Sequence, residues 1–198
     1  MRTHLPLTTA LATAALLLAA CGGGDSGGGD GGDASEPLRV ATEGTYAPFS
    51  FHAEGSNELT GYDVEVAEAV AEELGREVEF SETPFDAIFA GLEADRYDVV
   101  ANQVTVNPER QAKYLFSQPY TVSKGVVVTR ADDSSVTSLA DVKGKTSAQS
   151  TTSSFAEIAR TAGAKVEAVE GFTQAVTLLK QERVDVTIND SLAVLEYQ

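Results

Sequence analysis

The 198-residue sequence has few of the residues that reactive sites require. It has one cysteine, Cys21, two histidines and no tryptophan. A single cysteine cannot form an internal disulfide bond, so Cys21 is either a free or a modified thiol. No HxxxH, CxxC, P-loop or GxSxG pattern occurs. Common metal, redox, nucleotide and hydrolase sites therefore have no candidates, and we predict no metal and no cofactor.

Basic residues are also scarce. The sequence has 14 lysines and arginines against 30 acidic residues, a net charge of −16. Such an acidic surface argues against nucleic acid or anionic lipid as a partner. Hydrophobic residues make up 42% of the chain, which is enough for the core of one or two domains.

The N-terminal segment has the features of an export signal. Arg2 precedes an apolar run at 11–20 that is short for a membrane-spanning helix. We predict that residues 1–20 are a signal peptide that is removed. Cys21 follows Leu-Ala-Ala, and this position resembles the lipobox of bacterial lipoproteins, in which the cysteine becomes the lipidated N-terminus. An ordinary signal peptide that contains a cysteine is the alternative.

A Gly/Asp/Ser-rich stretch follows Cys21 and contains too few apolar residues to offset the entropy of ordering it. We predict that residues 21–37 are a lipidated cysteine and a flexible tether. The folded part is then extracytoplasmic and anchored by lipid to the bacterial cell membrane.

From Leu38 onward, short β-like runs alternate with amphipathic helical runs, which is typical of an α/β domain with a mainly parallel sheet. The predicted strands are 38–42, 77–82, 97–103, 145–149, 165–169 and 184–189. The predicted helices are 63–74, 85–92, 155–162, 172–179 and one that begins near Asp190. The predicted apolar faces of the first four are, in order, Val64, Ala67, Ala71 and Leu74; Phe85, Ile88, Phe89 and Leu92; Phe155, Ile158, Ala159 and Ala162; and Phe172, Ala175, Val176 and Leu179.

A long extended passage at 120–130 predicts a crossover between two lobes. We expect a first lobe at 38–123 and a second at 124–198. The last helical pattern reaches Gln198 without a cap or a terminal polar run, so we expect a C-terminally truncated chain in which both lobes are incomplete.

Polar and aromatic side chains follow the predicted strands, where open α/β sheets bind ligands. Arg110 can bind a carboxylate through two parallel hydrogen bonds, and Asp190 can balance an ammonium group. Together they suit a zwitterion such as an amino acid. Ser154 and Glu157 form a candidate capping box, and Tyr46 and Phe85 offer flat apolar walls.

Each of these residues also has a plainer interpretation. Arg110 can form a surface salt bridge with Glu109, and Asp190 can be a simple N-cap. Tyr46 and Phe85 can be core aromatics, and the segment 150–154 can be a loop and a cap.

Two motifs carry a family resemblance. The run Gly61-Tyr-Asp-Val-Glu-Val-Ala-Glu-Ala-Val-Ala-Glu-Glu-Leu74 is similar to the signature of the amino-acid-binding family (family 3) of bacterial extracellular solute-binding proteins, the receptors of ABC importers. Thr105–Arg110 followed by Phe116–Tyr120 looks like the second motif of that family. The segments 43–51 and 99–105 resemble its cystine-binding branch.

The resemblance implies a periplasmic-binding-protein-like (type II) fold of two lobes with a hinge. It implies a monomeric binding protein, not an enzyme, that delivers an amino acid, here cystine, to ABC permease subunits in the membrane. Within it, Arg110 would hold the α-carboxylate and Asp190 the α-ammonium. The other implied ligand contacts are Gln103 and Thr105 to the head group, Thr152 and Ser153 to the carboxylate, and Tyr46 and Phe85 beside the side chain.

Two positions depart from the family pattern. Glu43 stands where some relatives carry an aspartate that contacts the ligand, and Gln149 where some carry a lysine, so the resemblance implies that both are candidate determinants of side-chain specificity. The same fold also resembles amino-acid-derived dehydratases, for which Glu43 would be the nearest general acid, and sensor domains of membrane proteins.

Overall fold

The elements alternate along the chain much as the sequence predicts. The computed structural model describes residues 36–198, so the predicted signal peptide, Cys21 and most of the tether lie outside the described residues. The strands are β1 (Leu38–Thr42), β2 (Thr45–Tyr46), β3 (Ser50–His52), β4 (Leu59–Thr60), β5 (Val78–Glu82), β6 (Val99–Val100), β7 (Gly125–Val128), β8 (Thr146–Gln149), β9 (Lys165–Ala168) and β10 (Val186–Asp190). The helices are α1 (Tyr62–Glu73), α2 (Phe85–Glu93), α3 (Pro108–Gln111), α4 (Ser154–Thr161), α5 (Phe172–Lys180) and α6 (Ser191–Leu195), with a 3-10 helix at Leu139–Val142.

The first sheet is parallel and has the order β5-β1-β6. Its central strand β1 is buried on both faces because α1 and α2 cover opposite sides. Val40 packs with Ala67 and Ala71 of α1, whereas Ala41 packs with Ile88 of α2. This double coverage confirms the predicted α/β architecture for this part of the chain.

Helix α1 begins after Gly61, which has a φ of 122°. Glycine adopts this backbone conformation with little strain because it has no β-carbon. A β-carbon at Gly61 would lie 2.4 Å from the carbonyl oxygen of Phe49. Val64, as predicted, is buried, but Leu74 at the other end of the predicted stripe is 54% exposed. The helix ends at Glu73, and Leu74 is its C-cap, at the end of the helix.

The second sheet has the order β7-β10-β8-β9, with β7 antiparallel and the other strands parallel. Helix α5 covers it with the predicted stripe of Phe172, Ala175, Val176 and Leu179, all of which are buried. The predicted face of α4 is wrong at Ile158, which is 38% exposed. The residues of α4 that are buried are Ala156 and Ala159.

Two other expectations need correction. The predicted strand 97–103 is reduced to β6, and at its predicted end Gln103 has a positive φ of 48° that is incompatible with an extended strand. A small antiparallel sheet, β2-β3-β4, was not predicted, because strands of two or three residues are too short to show a period. This small sheet places Tyr46 directly after β1.

Candidate functional site

Loops that follow strands of both sheets line one cavity. Residues of the β1–β2 and β6–α3 loops line one side of it, and residues of the β8–α4 and β9–α5 loops line the other. Its volume is about 50 Å³, well below the few hundred cubic ångströms typical of a small-molecule site. The predicted residues that line it are Glu43, Tyr46, Phe85, Gln103, Thr105, Arg110, Gln149 and Ser153.

Arg110 is positioned by the short helix α3. The side chain of Asn107 caps this helix by accepting a hydrogen bond of 2.8 Å from the backbone N–H of Arg110, and Pro108 occupies the first helical position. The guanidinium group is buried, with 8% of the residue exposed. The motif Asn-Pro-Glu-Arg therefore turns the arginine inward, toward the cavity.

The partners of the Arg110 guanidinium are neutral. Nη1 donates to the carbonyl oxygen of Thr105 at 3.0 Å, and Nη2 donates to that of Thr152 at 3.1 Å. Among residues 36–198 no ion pair includes Arg110, so the alternative of a salt bridge with Glu109 is not observed. Burial lowers the pKa of Arg110.

Aromatic rings surround the same guanidinium. Its central carbon lies 5.5 Å from the ring centroid of Phe85 and 5.1 Å from that of Phe89. Cation–π contact with two rings stabilises the charge while leaving its hydrogen-bonding edge available. Phe85 is thus a wall of the cavity and part of the arginine's support.

Tyr46 forms another wall and belongs to a buried cluster. Its ring lies 5.2 Å from that of Phe49 and 6.5 Å from that of Phe172 of α5. Its hydroxyl donates to Oδ1 of Asn189 at 2.6 Å, and burial raises its pKa. The core interpretation and the cavity-wall interpretation of Tyr46 therefore both describe its contacts.

Glu43 lies at the cavity beside a buried asparagine. Nδ2 of Asn102 donates to Oε2 of Glu43 at 2.7 Å, and Oδ1 of Asn102 accepts from the backbone N–H of Glu43 at 2.8 Å. Burial raises the pKa of Glu43 from its usual 4.5 to about 7, with a smaller contribution from the charge of Asp86. This carboxyl group is therefore half protonated near neutral pH.

Three further predicted residues are engaged in polar contacts. Gln103 donates to Oδ1 of Asp63 at 2.6 Å, and the Thr105 hydroxyl lies 3.0 Å from that of Ser154. Gln149 is 3% exposed, and its Nε2 donates to the hydroxyl of Ser147 at 3.0 Å. These contacts hold the cavity walls in place.

The segment between β8 and α4 caps its helix one residue earlier than predicted. Ser153, rather than Ser154, is the N-cap, and its hydroxyl accepts from the backbone N–H of Ala156 at 3.1 Å. Ser153 lines the cavity, whereas Thr152 does not: its N–H and hydroxyl donate to Asp86.

Asp190 is placed at the start of α6 and outside the lining of this cavity. Its Oδ1 accepts from the backbone N–H of Leu192 at 2.7 Å, and its Oδ2 accepts from the hydroxyl of Ser123. The N-cap interpretation therefore describes its contacts, and an ammonium group would have to share these two oxygens.

Sequence reasoning missed three residues of the site. Asn102 bridges Glu43 and β1, Asp86 binds the segment after β8, and Phe89 stacks on Arg110. Asn102 was detectable, because it is a polar residue at the carboxyl end of a predicted buried strand. For Asp86 and Phe89 the sequence gives no comparable signal, since both lie on an ordinary amphipathic helix.

Sequence comparison finds relatives among transport proteins. The chain is 53% identical over 165 residues to a probable amino-acid ABC transporter-binding protein of Haemophilus influenzae, and this match covers 83% of the chain and 64% of the relative. It is 56% identical over 160 residues to the L-cystine-binding protein TcyA of Bacillus subtilis, covering 81% of the chain and 59% of the relative. The chain thus spans about three fifths of the length of these relatives, which are described as binding proteins rather than enzymes.

Structural comparison agrees with this result. An ancestral arginine-binding protein bound to arginine superposes with a TM-score of 0.76 at 35% identity, covering 83% of the chain and 74% of that protein. In the part of the chain that the structure describes, no helix is both long and apolar enough to cross a membrane. The family model for bacterial extracellular solute-binding proteins, family 3, matches residues 38–155. The chain belongs to this family.

Proposed function

We propose that this chain binds a free amino acid, cystine, as the extracytoplasmic receptor of an ABC importer. The family match and the two curated relatives support this class of ligand, and the relative from Bacillus subtilis is described as cystine-binding. In this proposal the two sheets belong to two lobes, at 38–123 and 124–198, and the ligand lies between them.

The observation that carries the proposal is the buried cationic group of Arg110. Its hydrogen bonds go to two neutral carbonyl groups, and no carboxylate among the described residues forms an ion pair with it. A buried charge without a counter-charge is costly, and a guanidinium binds a carboxylate through two parallel, charge-assisted bonds. The α-carboxylate of an amino acid supplies the missing counter-charge.

The small cavity indicates a closed arrangement in this proposal. Tyr46 bonds Asn189, and Thr105 contacts Ser154, so hydrogen bonds join residues of the two proposed lobes across the cavity. We infer that the segment 120–130 connects the lobes and takes part in the hinge motion.

The remaining site residues keep their proposed roles. Gln103 and Thr105 would contact the amino-acid head group, Ser153 and Thr152 would add carboxylate contacts, and Phe85 would flank the ligand side chain. Thr152 must release Asp86 to do so, because its N–H and its hydroxyl, the two groups that could donate to a carboxylate, both donate to Asp86.

Anchoring and delivery are part of the same proposal. After removal of residues 1–20, lipid on Cys21 would hold the protein at the membrane, and the tether would let the folded part reach the permease subunits. Mass spectrometry of the protein from a membrane fraction tests the anchor: a diacylated N-terminal peptide that begins at Cys21 is expected, and an unmodified thiol would contradict it.

The binding experiment is a calorimetric titration of the chain with cystine and, separately, with arginine. A 1:1 heat signal with cystine supports the proposed function, and preference for arginine would retain the receptor but change its ligand.

Arg110→Ala should weaken binding by roughly 2–5 kcal/mol, because the ligand carboxylate would be buried without a partner. Arg96→Ala is the matched control, since Arg96 is an exposed arginine outside the cavity lining. Circular dichroism of each variant checks that it is folded, and unchanged affinity in a folded Arg110→Ala protein would contradict the proposal.

A further inference from the structure

The carboxylate of Asp86 joins helix α2, which covers the first sheet, to the loop that follows β8 of the second sheet. Asp86 lies in the first turn of α2, whereas Thr151 and Thr152 follow β8. Asp86 Oδ2 accepts from the backbone N–H of Thr151 at 3.0 Å and from its hydroxyl at 2.7 Å. Oδ1 accepts from the N–H of Thr152 at 2.9 Å and from its hydroxyl at 2.8 Å. Four donors therefore converge on one side chain.

These four donors lie beside the cavity rather than in it. Asp86, Thr151 and Thr152 are absent from the residues that line the cavity, whereas Ser150 and Ser153 on either side are present. The carbonyl oxygen of Thr152 accepts the bond from Nη2 of Arg110. Thr152 is thus held through its N–H and hydroxyl by Asp86 and through its carbonyl by Arg110.

We infer that Asp86 is a positioning residue for ligand binding: it holds Thr151 and Thr152 against the first sheet and thereby fixes both the Arg110 guanidinium and the closed cavity. This inference rests on the proposed function. Its energetic basis is general, because a ligand favours closure only to the extent that the closed state has contacts that the open state lacks. The Asp86 contacts belong to the protein, so they lower the cost of closure for any ligand.

The arrangement requires an ionised carboxylate. A carboxylate has acceptor sites for four hydrogen bonds and no donor, which matches four donors and no acceptor at this place. An asparagine would present an NH₂ group to two of the four donors. Burial raises the pKa of Asp86, but the bonds from Thr151 and Thr152 outweigh it, so the pKa lies below its usual value.

The test is the variant Asp86→Asn in the full chain. Its cystine dissociation constant should rise about fivefold, a modest change because the carboxylate is partly exposed to water and hydrogen bonds to charged groups are screened there. Small-angle X-ray scattering without ligand should show a larger radius of gyration than the unaltered chain. Glu68→Gln, which removes an exposed carboxylate of α1, is the matched control for the loss of charge.

A double-mutant cycle separates positioning from a general loss of stability. Thr151→Val removes the hydroxyl that donates at 2.7 Å but keeps the backbone. In the double variant with Asp86→Asn, the increase in the cystine dissociation constant should be about threefold smaller than the product of the two single increases, because both substitutions break the same interaction. Independent, multiplicative effects would overturn the inference.

The other outcomes are equally distinct. Tighter cystine binding by Asp86→Asn would mean that Asp86 competes with the ligand for Thr151 and Thr152, and it would overturn the positioning role. Unchanged affinity and unchanged scattering would do the same. If the unaltered chain binds no amino acid, the proposed function fails, whereas the scattering experiment and the same cycle measured by urea unfolding still test the Asp86 contacts.

Discussion

Protonation of Glu43 should make the stability of this protein depend on pH. Burial raises the pKa of Glu43 to about 7 from 4.5, and hydrogen bonds from Asn102 and from the Phe85 backbone only partly oppose it. Because the folded-state pKa lies above the unfolded-state value, the folded protein binds the proton more tightly. The resulting stabilisation is fully present below about pH 4.5 and is lost as the pH rises through 7.

The variant Glu43→Gln removes this dependence. Glutamine cannot ionise, and its carbonyl oxygen can still accept the bond that Asn102 donates at 2.7 Å. From the two pKa values, the proton linkage at Glu43 contributes about 2.5 kcal/mol more at pH 5 than at pH 8. As the pH rises from 5 to 8, the free energy of unfolding of the unaltered protein should therefore fall by about 2.5 kcal/mol relative to that of the variant.

The assay is urea unfolding at several pH values between 5 and 8. Asp63, whose pKa burial raises to about 6, also titrates in this window, so the difference between variant and unaltered protein, rather than either curve alone, isolates Glu43. Glu68→Gln serves as the control for charge, since Glu68 is exposed on α1. A difference for Glu43→Gln that does not change with pH would refute the reasoning that burial governs this carboxyl group.

Two further substitutions test the fold and the cavity. Gly61→Ala should cost about 2 kcal/mol or more in urea unfolding, because φ is 122° and the new β-carbon would meet the Phe49 carbonyl oxygen; Gly75→Ala, where φ is 67° and the space is open, should cost only about 1 kcal/mol, and equal costs would contradict the clash. Tyr46→Phe removes the hydroxyl that donates to Asn189 and should cost about 1 kcal/mol in unfolding and weaken cystine binding in calorimetry, whereas no change in either would contradict a closing role for this bond.

The parts of the fold that could be predicted are those with a strong local period. Helix α5 has four apolar residues on one face, and all four are buried, because a single wide stripe leaves one way to pack. Helix α4 has its large apolar residue at Ile158, but its fully buried residues are two alanines, Ala156 and Ala159. An apolar pattern gives large side chains more weight than alanines, so it does not reveal which of them the helix buries.

The candidate site divides in the same way. Arg110 was found from a motif of adjacent residues, in which Asn107 caps the helix that carries it. The bonds of Asn102 to Glu43 and of Asp86 to Thr151 join residues that are 59 and 65 positions apart. The first bond depends on the pairing of β1 with β6 in one sheet and the second on how the two sheets meet, and composition or spacing does not encode that geometry.

The contacts of Arg110 also explain why this buried cation suits the ligand carboxylate that we propose. Two carbonyl groups and two aromatic rings satisfy the guanidinium geometrically, yet they supply no full negative charge. Burial accordingly lowers its pKa, which measures the cost of keeping the charge in place. A carboxylate that binds there offsets that cost at the moment of binding. The arginine is therefore held in place by neutral groups, which leaves its charge to be balanced by the proposed ligand, whereas a permanent salt bridge with Glu109 would have satisfied it already.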